Sequence, residues 1–266
     1  MEAFYFGAPG ARLFGAYHPA SGGSSRECGV VLCYPMGREY LSALRAYRSL
    51  AIQLSNSGFP VLRFDFFACG DSEGDCREGS VARWCEDVSA AIGEMWRRHR
   101  LSRFCLAGLR LGGTIAMMAG INRTDLHSLV LWDPVIEGGP YLRELGLYRR
   151  EAFWEVPTAQ ARSLCKTPED ELLGFALSER LRQEIRSINL LTLEARPPEN
   201  VLLIQTANGK TDKRLRTRLE KSASLLEHHC FPAERISGKA FRSVSGSLVR
   251  ARTISLISAW ISRVCR

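Results

Sequence analysis

The chain has no apolar run approaching the about 20 residues that cross a bilayer, so no transmembrane helix is expected. Its start, "MEAFYFGAPGARLFG", lacks a basic segment followed by an apolar core. No signal peptide is read there, and a cytoplasmic protein is expected. It also lacks any C-x-x-C pair. The nine cysteines are scattered and odd in number, which argues reduced thiols rather than a disulfide framework. Histidine is scarce, at five residues. His228 and His229 are adjacent but have no second cluster at metal-ligand spacing, so neither a metal nor a cofactor is called for. The basic residues are not interleaved with aromatics, and no zinc-finger or RNA-binding signature is present, so nucleic acid is not an expected partner.

What is there begins with charge. Lys and Arg number 36 against 28 Asp and Glu, a formal net charge of +8. The excess is mostly arginine, strewn along stretches such as "WRRHRLSR" and "KRLRTRLEK". It reads first as a solvated basic surface, and a surface of that sign favours an acidic partner. With 266 residues, 45% hydrophobic and 24% charged, the chain suits one large α/β domain over residues 1–266.

"EAFYFGAPGARLFGAYHPA" reads as a hairpin, and "CGVVLCYP" as a buried parallel strand. Helix, strand, helix, strand, helix and strand then follow: "YLSALRAYRSLAIQLSNSG", "FPVLRFDFF", "VARWCEDVSAAIGEMWRRHR", "FCLAG", "LGGTIAMMAG" and "SLVLWDPV". This alternation predicts a mostly parallel central sheet with helices on both faces. Residues 138–198 break the rhythm. They read as a helical lid insertion, with "PEDELLGFALSERLRQEIRSINLL" its clearest helix and "LRELGLY" and "GFALSERL" as pocket walls. "VLLIQT" returns as a strand, "AERISG" as a weak last strand, and "LVRARTISLISAWISRVCR" as a closing helix.

In a parallel sheet, sites form at the carboxyl ends of the strands. Between strand and helix lies "AGLRLGG", with Gly108 and Gly112 flanking Arg110. That is the glycine frame of a nucleophile elbow, G-x-S-x-G, with arginine where serine would stand. Other tips carry "YPMGRE", "DFFACGDS", "WDP" and "ANGKTD". This order resembles the α/β-hydrolase superfamily over nearly the whole chain. "VVLCYPMG" matches its oxyanion strand and "DFFACGDS" its D-x-x-G-x-G-x-S turn. "PMGREY", "FDFFACGDSEGD", "GLRLGG" and "LVLWDPVIEGGPYLREL" together resemble the type 2 exosortase-system-associated hydrolase family, which also carries arginine at the elbow.

The resemblance implies the α/β-hydrolase fold, with the backbone N–H groups of Met36 and Leu111 forming an oxyanion hole. It also implies an acyl small molecule or an acyl carrier protein as partner. Two of the three triad roles look vacant. A guanidinium is neither nucleophile nor base at neutral pH. The place of the catalytic histidine matches Ala240, with Phe241 behind it, and Ser243 or Ser245 are candidates for a shifted residue. Asp133 or Asp212 would be the acid.

An arginine at a helix N-terminus can grip a carbonyl or carboxylate. The catalytic candidates are therefore Arg110, Asp133 and Glu39, and the substrate-binding candidates are Tyr34, Arg38, Cys69 and Trp132. The bland alternative is an internal salt bridge from Arg110 to Asp133 or Glu39. Cys33 and Cys69 are weighed as thiol nucleophiles and read first as core and loop residues. Asp65 and Ser72 read as turn stabilisers, and Trp84 and Trp132 as packing before substrate platforms. The leading reading is an enzyme acting on an acyl ester or carrier-bound thioester without a serine nucleophile, with Arg110 as carbonyl or carboxylate clamp. The alternative is an inactive acyl-binding pseudo-hydrolase, and a scaffold role comes third, with a homodimer compatible with each.

Overall fold

The computed structural model describes residues 1–21, 26–154, 171–172, 175–194, 197–207, 213–232 and 251–265. The sheet begins with the expected hairpin, β1 (Glu2–Phe6) against β2 (Leu13–His18), paired antiparallel. β3 (Cys28–Cys33) is buried at all six positions, because helices cover both of its faces. β4 (Val61–Phe64), β5 (Arg103–Leu109), β6 (Leu126–Trp132), β9 (Asn200–Ala207) and β10 (Leu225–Pro232) complete an eight-stranded sheet in the order β1-β2-β4-β3-β5-β6-β9-β10. From β4 to β10 every neighbouring pair is parallel.

Helix α1 (Gly37–Asn56) turns Ala43, Ala46, Tyr47, Leu50 and Leu54 inward at helical spacing. Those side chains meet Ile254, Ile257, Trp260 and Ile261 of the closing helix α7 (Ala251–Val264) on one face of the sheet. On the other face lie α2 (Val81–His99) and α3 (Leu111–Gly120). The Ser80 side chain caps α2 by accepting from the Arg83 N–H at 3.2 Å.

Residues 138–198 depart from the sequence expectation. Among the described residues this stretch holds two helices, α4 (Gly138–Trp154) and α5 (Glu179–Ser187), the latter capped by Ser178. The segment expected to be the clearest helix holds instead a two-stranded hairpin, β7 (Glu171–Leu172) with β8 (Phe175–Ala176), before α5 starts. Alternating and helical apolar spacing coincide over so short a run, and the Ser178 cap decides where the helix begins. Tyr141, Leu145, Leu177, Leu181 and Ile185 are buried in the same core as α2 and α3, so this region is packed onto the body.

"LLEHHCFP" forms β10, a strand not read from the sequence, and it carries His228 and His229. "AERISG", Ala240, Phe241, Ser243 and Ser245 lie outside the described residues, as does Asp212. Short helix α6 (Lys213–Glu220) links β9 to β10.

Candidate functional site at the strand tips

The elbow is present. Arg110 joins β5 to α3 with φ 52° and ψ −125°, a backbone strained for any residue but glycine. Its N–H donates to Trp132 O at 2.9 Å, extending the sheet to the tip. The glycine frame has a cause that ignores the tip residue. A Cβ at Gly112 would come closer than 3.0 Å to the Cys33 and Tyr34 carbonyl oxygens, and one at Gly108 would collide with the Gly112–Gly113 backbone. Helix α3 can sit this close to β3 and β5 only without those side chains.

The Arg110 side chain is 15% exposed and doubly paired. Its Nε donates to Glu39 Oε1 at 2.8 Å and its Nη2 to Glu144 Oε2 at 2.6 Å. Glu39, 7% exposed, also accepts from the Tyr141 hydroxyl at 2.9 Å. Tyr141 lies under the guanidinium, 5.3 Å from ring centre to Cζ. Burial alone would lower the Arg110 pKa, but Glu39 and Glu144 carry it well above its ordinary value. Burial, then the Glu39 charge, likewise holds the Tyr141 phenol protonated. Glu144 is the more open of the two carboxylates, at 36% exposed.

Of the two bridges weighed from sequence, the one to Glu39 forms. Asp133 makes a different contact: its carboxylate accepts from the Thr206 N–H at 2.5 Å and from the Thr206 hydroxyl at 2.7 Å. Burial raises its pKa, opposed by those Thr206 bonds and by the charge of Arg110. The N–H groups of Met36, at the N-cap of α1, and of Leu111, first in α3, make no hydrogen bond among the described residues. Both lie at helix N-termini, where the dipole favours negative charge.

Tyr34 is 3% exposed; its ring stacks on Tyr47 and its hydroxyl accepts from Arg63 Nη1 at 2.7 Å. Trp132 is equally buried, in the core shared with α1 and α7. These two are brought into the packing beneath the tips. Arg38 is exposed on the first turn of α1. Burial pushes the Cys69 thiol up to about 12, and the charges of Asp65 and Asp87 add to it. Burial raises Cys33 as well. Neither is a thiolate at neutral pH.

Asp65 and Ser72 hold the turn, as expected. Asp65 accepts from the Asp71 N–H and the Tyr40 hydroxyl, both at 3.0 Å, while Ser72 Oγ donates to Asp65 O at 2.6 Å. Trp84 is packing, with Nε1 donating to Phe67 O at 3.0 Å.

Glu144, Tyr141, Thr206 and Phe175 were not singled out from sequence. Tyr141 and Glu144 share one face of α4 at i, i+3 spacing inside "YLRELGLY", a signal available in principle. Phe175, in the unexpected hairpin, lies 3.9 Å from where a Gly37 Cβ would sit, beside Met36.

No histidine reaches this constellation through the usual route. The stretch that follows β10, residues 233–266, contains none in its sequence. His18 and His99 lie at the opposite edge of the sheet, bonded to Arg63 and Tyr17. His127 is at the start of β6, His228 accepts from or donates to Gln205, and His229 pairs with Glu227. Among the described residues no His, Cys, Asp and Glu cluster is spaced to hold a metal, and no helix is long and apolar enough to cross a membrane.

No family model matches the chain. Human palmitoyl-protein thioesterase ABHD10, a mitochondrial protein, is 30% identical over 88 residues, which is 32% of this chain and 28% of the relative. The chain thus matches under a third of that relative's length. The Pyrococcus furiosus esterase Pf2001 superposes over 100% of this chain and 91% of its own, with TM-score 0.66 and 16% identity. The mouse α/β-hydrolase domain-containing protein 10 covers 99% and 98%, with TM-score 0.58 and 15% identity. The chain has the α/β-hydrolase fold.

Proposed function

We propose that this chain is an acyl-binding pseudo-hydrolase: it holds an acyl carbonyl at the strand tips and does not cleave the acyl bond. The observation that carries this reading is the elbow tip, where Arg110 takes the nucleophile's place and is tied to Glu39 and Glu144. Arg110 cannot attack a carbonyl. Glu39 is engaged twice and Asp133 is satisfied by Thr206, so neither is a free base. The Met36 and Leu111 N–H groups are the donors for a ligand carbonyl.

Esters and thioesters are the ligand class, a reading supported by relatives named as an esterase and a palmitoyl-protein thioesterase. The acyl group arrives on a small molecule or on a carrier protein. The described elements α4, β8 and α5 serve as a cap, with Phe175 as an apolar surface beside the carbonyl. The motif resemblance to the exosortase-associated family, with its elbow arginine, agrees with a tip that does not act as nucleophile. Arg110 then shapes and charges the site, and a ligand carboxylate reaches it by displacing Glu144, the open partner.

A catalytic reading rests on that same openness. Glu144 would take a proton from water, the resulting hydroxide would add to the carbonyl, and the thiol or alcohol would leave after reprotonation by Glu144. Calorimetric titration with medium-chain acyl-pantetheine thioesters, with the ligand then recovered by chromatography, separates the readings. Saturable binding with intact thioester is expected. Cleavage by the wild type that Glu144→Gln abolishes would establish the catalytic reading, and no binding of any acyl chain would remove both.

A further inference from the structure

Helix α6 turns Leu215 and Leu219 into the core, which leaves its polar face outward. That face lines a groove of about 630 Å³ formed by Leu191, Lys213, Arg214, Thr217, Arg218, Lys221 and Ser222. Among the described residues the lining holds four cations and no carboxylate. Arg214 is bridged to Glu137 at 2.6 Å, and Arg218 donates to the Leu191 carbonyl at 2.7 Å. Among the described residues neither Lys213 nor Lys221 pairs with a carboxylate. The nearby Glu220 is taken by Arg216 at 2.7 Å.

Lys213, Thr217 and Lys221 follow one another at i, i+4, i+8, and the turn runs on past α6 through the Lys221 N–H to Arg218 O bond. The two lysines of that row stand about 12 Å apart along the helix axis, with the uncharged Thr217 between them and Arg218 three residues before Lys221. An acidic helix that carries carboxylates at i, i+4 and i+8 presents two of them at the same separation of about 12 Å, in the opposite sign. Leu191, half-buried at the groove, offers one apolar contact to such a helix, and among the described residues no aromatic side chain lines it to stack a base.

We propose that the α6 groove docks an acidic helix of a protein partner, with Lys213, Arg218 and Lys221 reading its carboxylates and Leu191 its apolar edge. The groove is a different surface from the elbow, so the proposal holds or fails independently of acyl binding. The Arg214–Glu137 bridge ties the groove to the loop that follows β6, on the side where the strand tips open.

The test is fluorescence anisotropy with a labelled Ala-based helical peptide bearing Glu at every i, i+4 position and one Leu. A scrambled peptide of equal charge, a single-stranded oligonucleotide and inorganic phosphate are run beside it. Lys213→Glu with Lys221→Glu alters only exposed positions, and its fold is verified by its melting curve. The striped peptide is expected to bind the wild type, to weaken about tenfold in the double variant and to weaken with salt. Equal binding to wild type and variant, equal binding of the scrambled peptide, or tighter binding of oligonucleotide or phosphate would each overturn the proposal.

Discussion

Arg110 shows how one residue can be costly in backbone and valuable in charge. Its positive φ and its ψ near −125° are strained, yet its side chain neutralises Glu39, which is nearly buried. Arg110→Ala leaves Glu39 beside Tyr141 without a cation, an expected loss of about 3 kcal/mol in a denaturant titration. Arg110→Gly removes the same cation but relieves the backbone, and should recover about 1 kcal/mol of that loss. Arg110→Ser restores the motif's nucleophile, yet residues 233–266 carry no histidine to activate it. No hydrolysis of p-nitrophenyl esters above background is expected from that variant. The tip arginine and its partner Glu39 were legible in sequence because the elbow motif fixes the first and the neighbouring strand tip "YPMGRE" carries the second. Glu144 was not, because its approach depends on how α4 returns over the sheet.

At the scale of elements, the glycine frame is a packing requirement. Gly112→Ala drives a methyl into the Cys33 and Tyr34 carbonyls, which are backbone and cannot rotate away. The cost should be about 3 kcal/mol, with the melting temperature falling whether residue 110 is Arg or Gly. This independence separates a role in packing from a role in chemistry. The repeating strands and helices were readable because β3 is continuously apolar and α1 and α2 keep their helical spacing. The hairpin β7–β8 and the strand β10 were not. β7 and β8 have two residues each, too short for a period to declare itself. In "LLEHHCFP" Glu227, His228 and His229 interrupt the apolar run, and among the described strands β10 is at the sheet's edge.

For the whole molecule, stability depends on pH through groups buried away from the site. Burial, then the charge of Arg63, lowers the pKa of His18 to about 4, and Arg63 Nε donates to its ring at 3.1 Å, which requires that nitrogen unprotonated. As pH falls from about 6.5 toward 4, the unfolded chain takes up a proton that the folded state refuses, so stability falls. The shift is worth on the order of 3 kcal/mol across that window. Buried Asp65 and Asp87, whose pKa values burial raises, act in the opposite sense and blur the total. A His18→Gln variant keeps an acceptor for Arg63 and does not titrate. The stability of the wild type relative to that variant should therefore drop between pH 7 and pH 4, as read by urea midpoints at both values.

On the proposed reading, the strand tips hold an acyl carbonyl although arginine stands in the nucleophile's place. A crystal structure with a bound acyl-pantetheine amide, which cannot be hydrolysed, tests it most directly. The amide oxygen is expected within hydrogen-bond distance of the Met36 and Leu111 N–H groups, with the Arg110–Glu39 pair intact. An amide held by the Arg110 guanidinium with Glu39 released, or bound away from the strand tips, would contradict it.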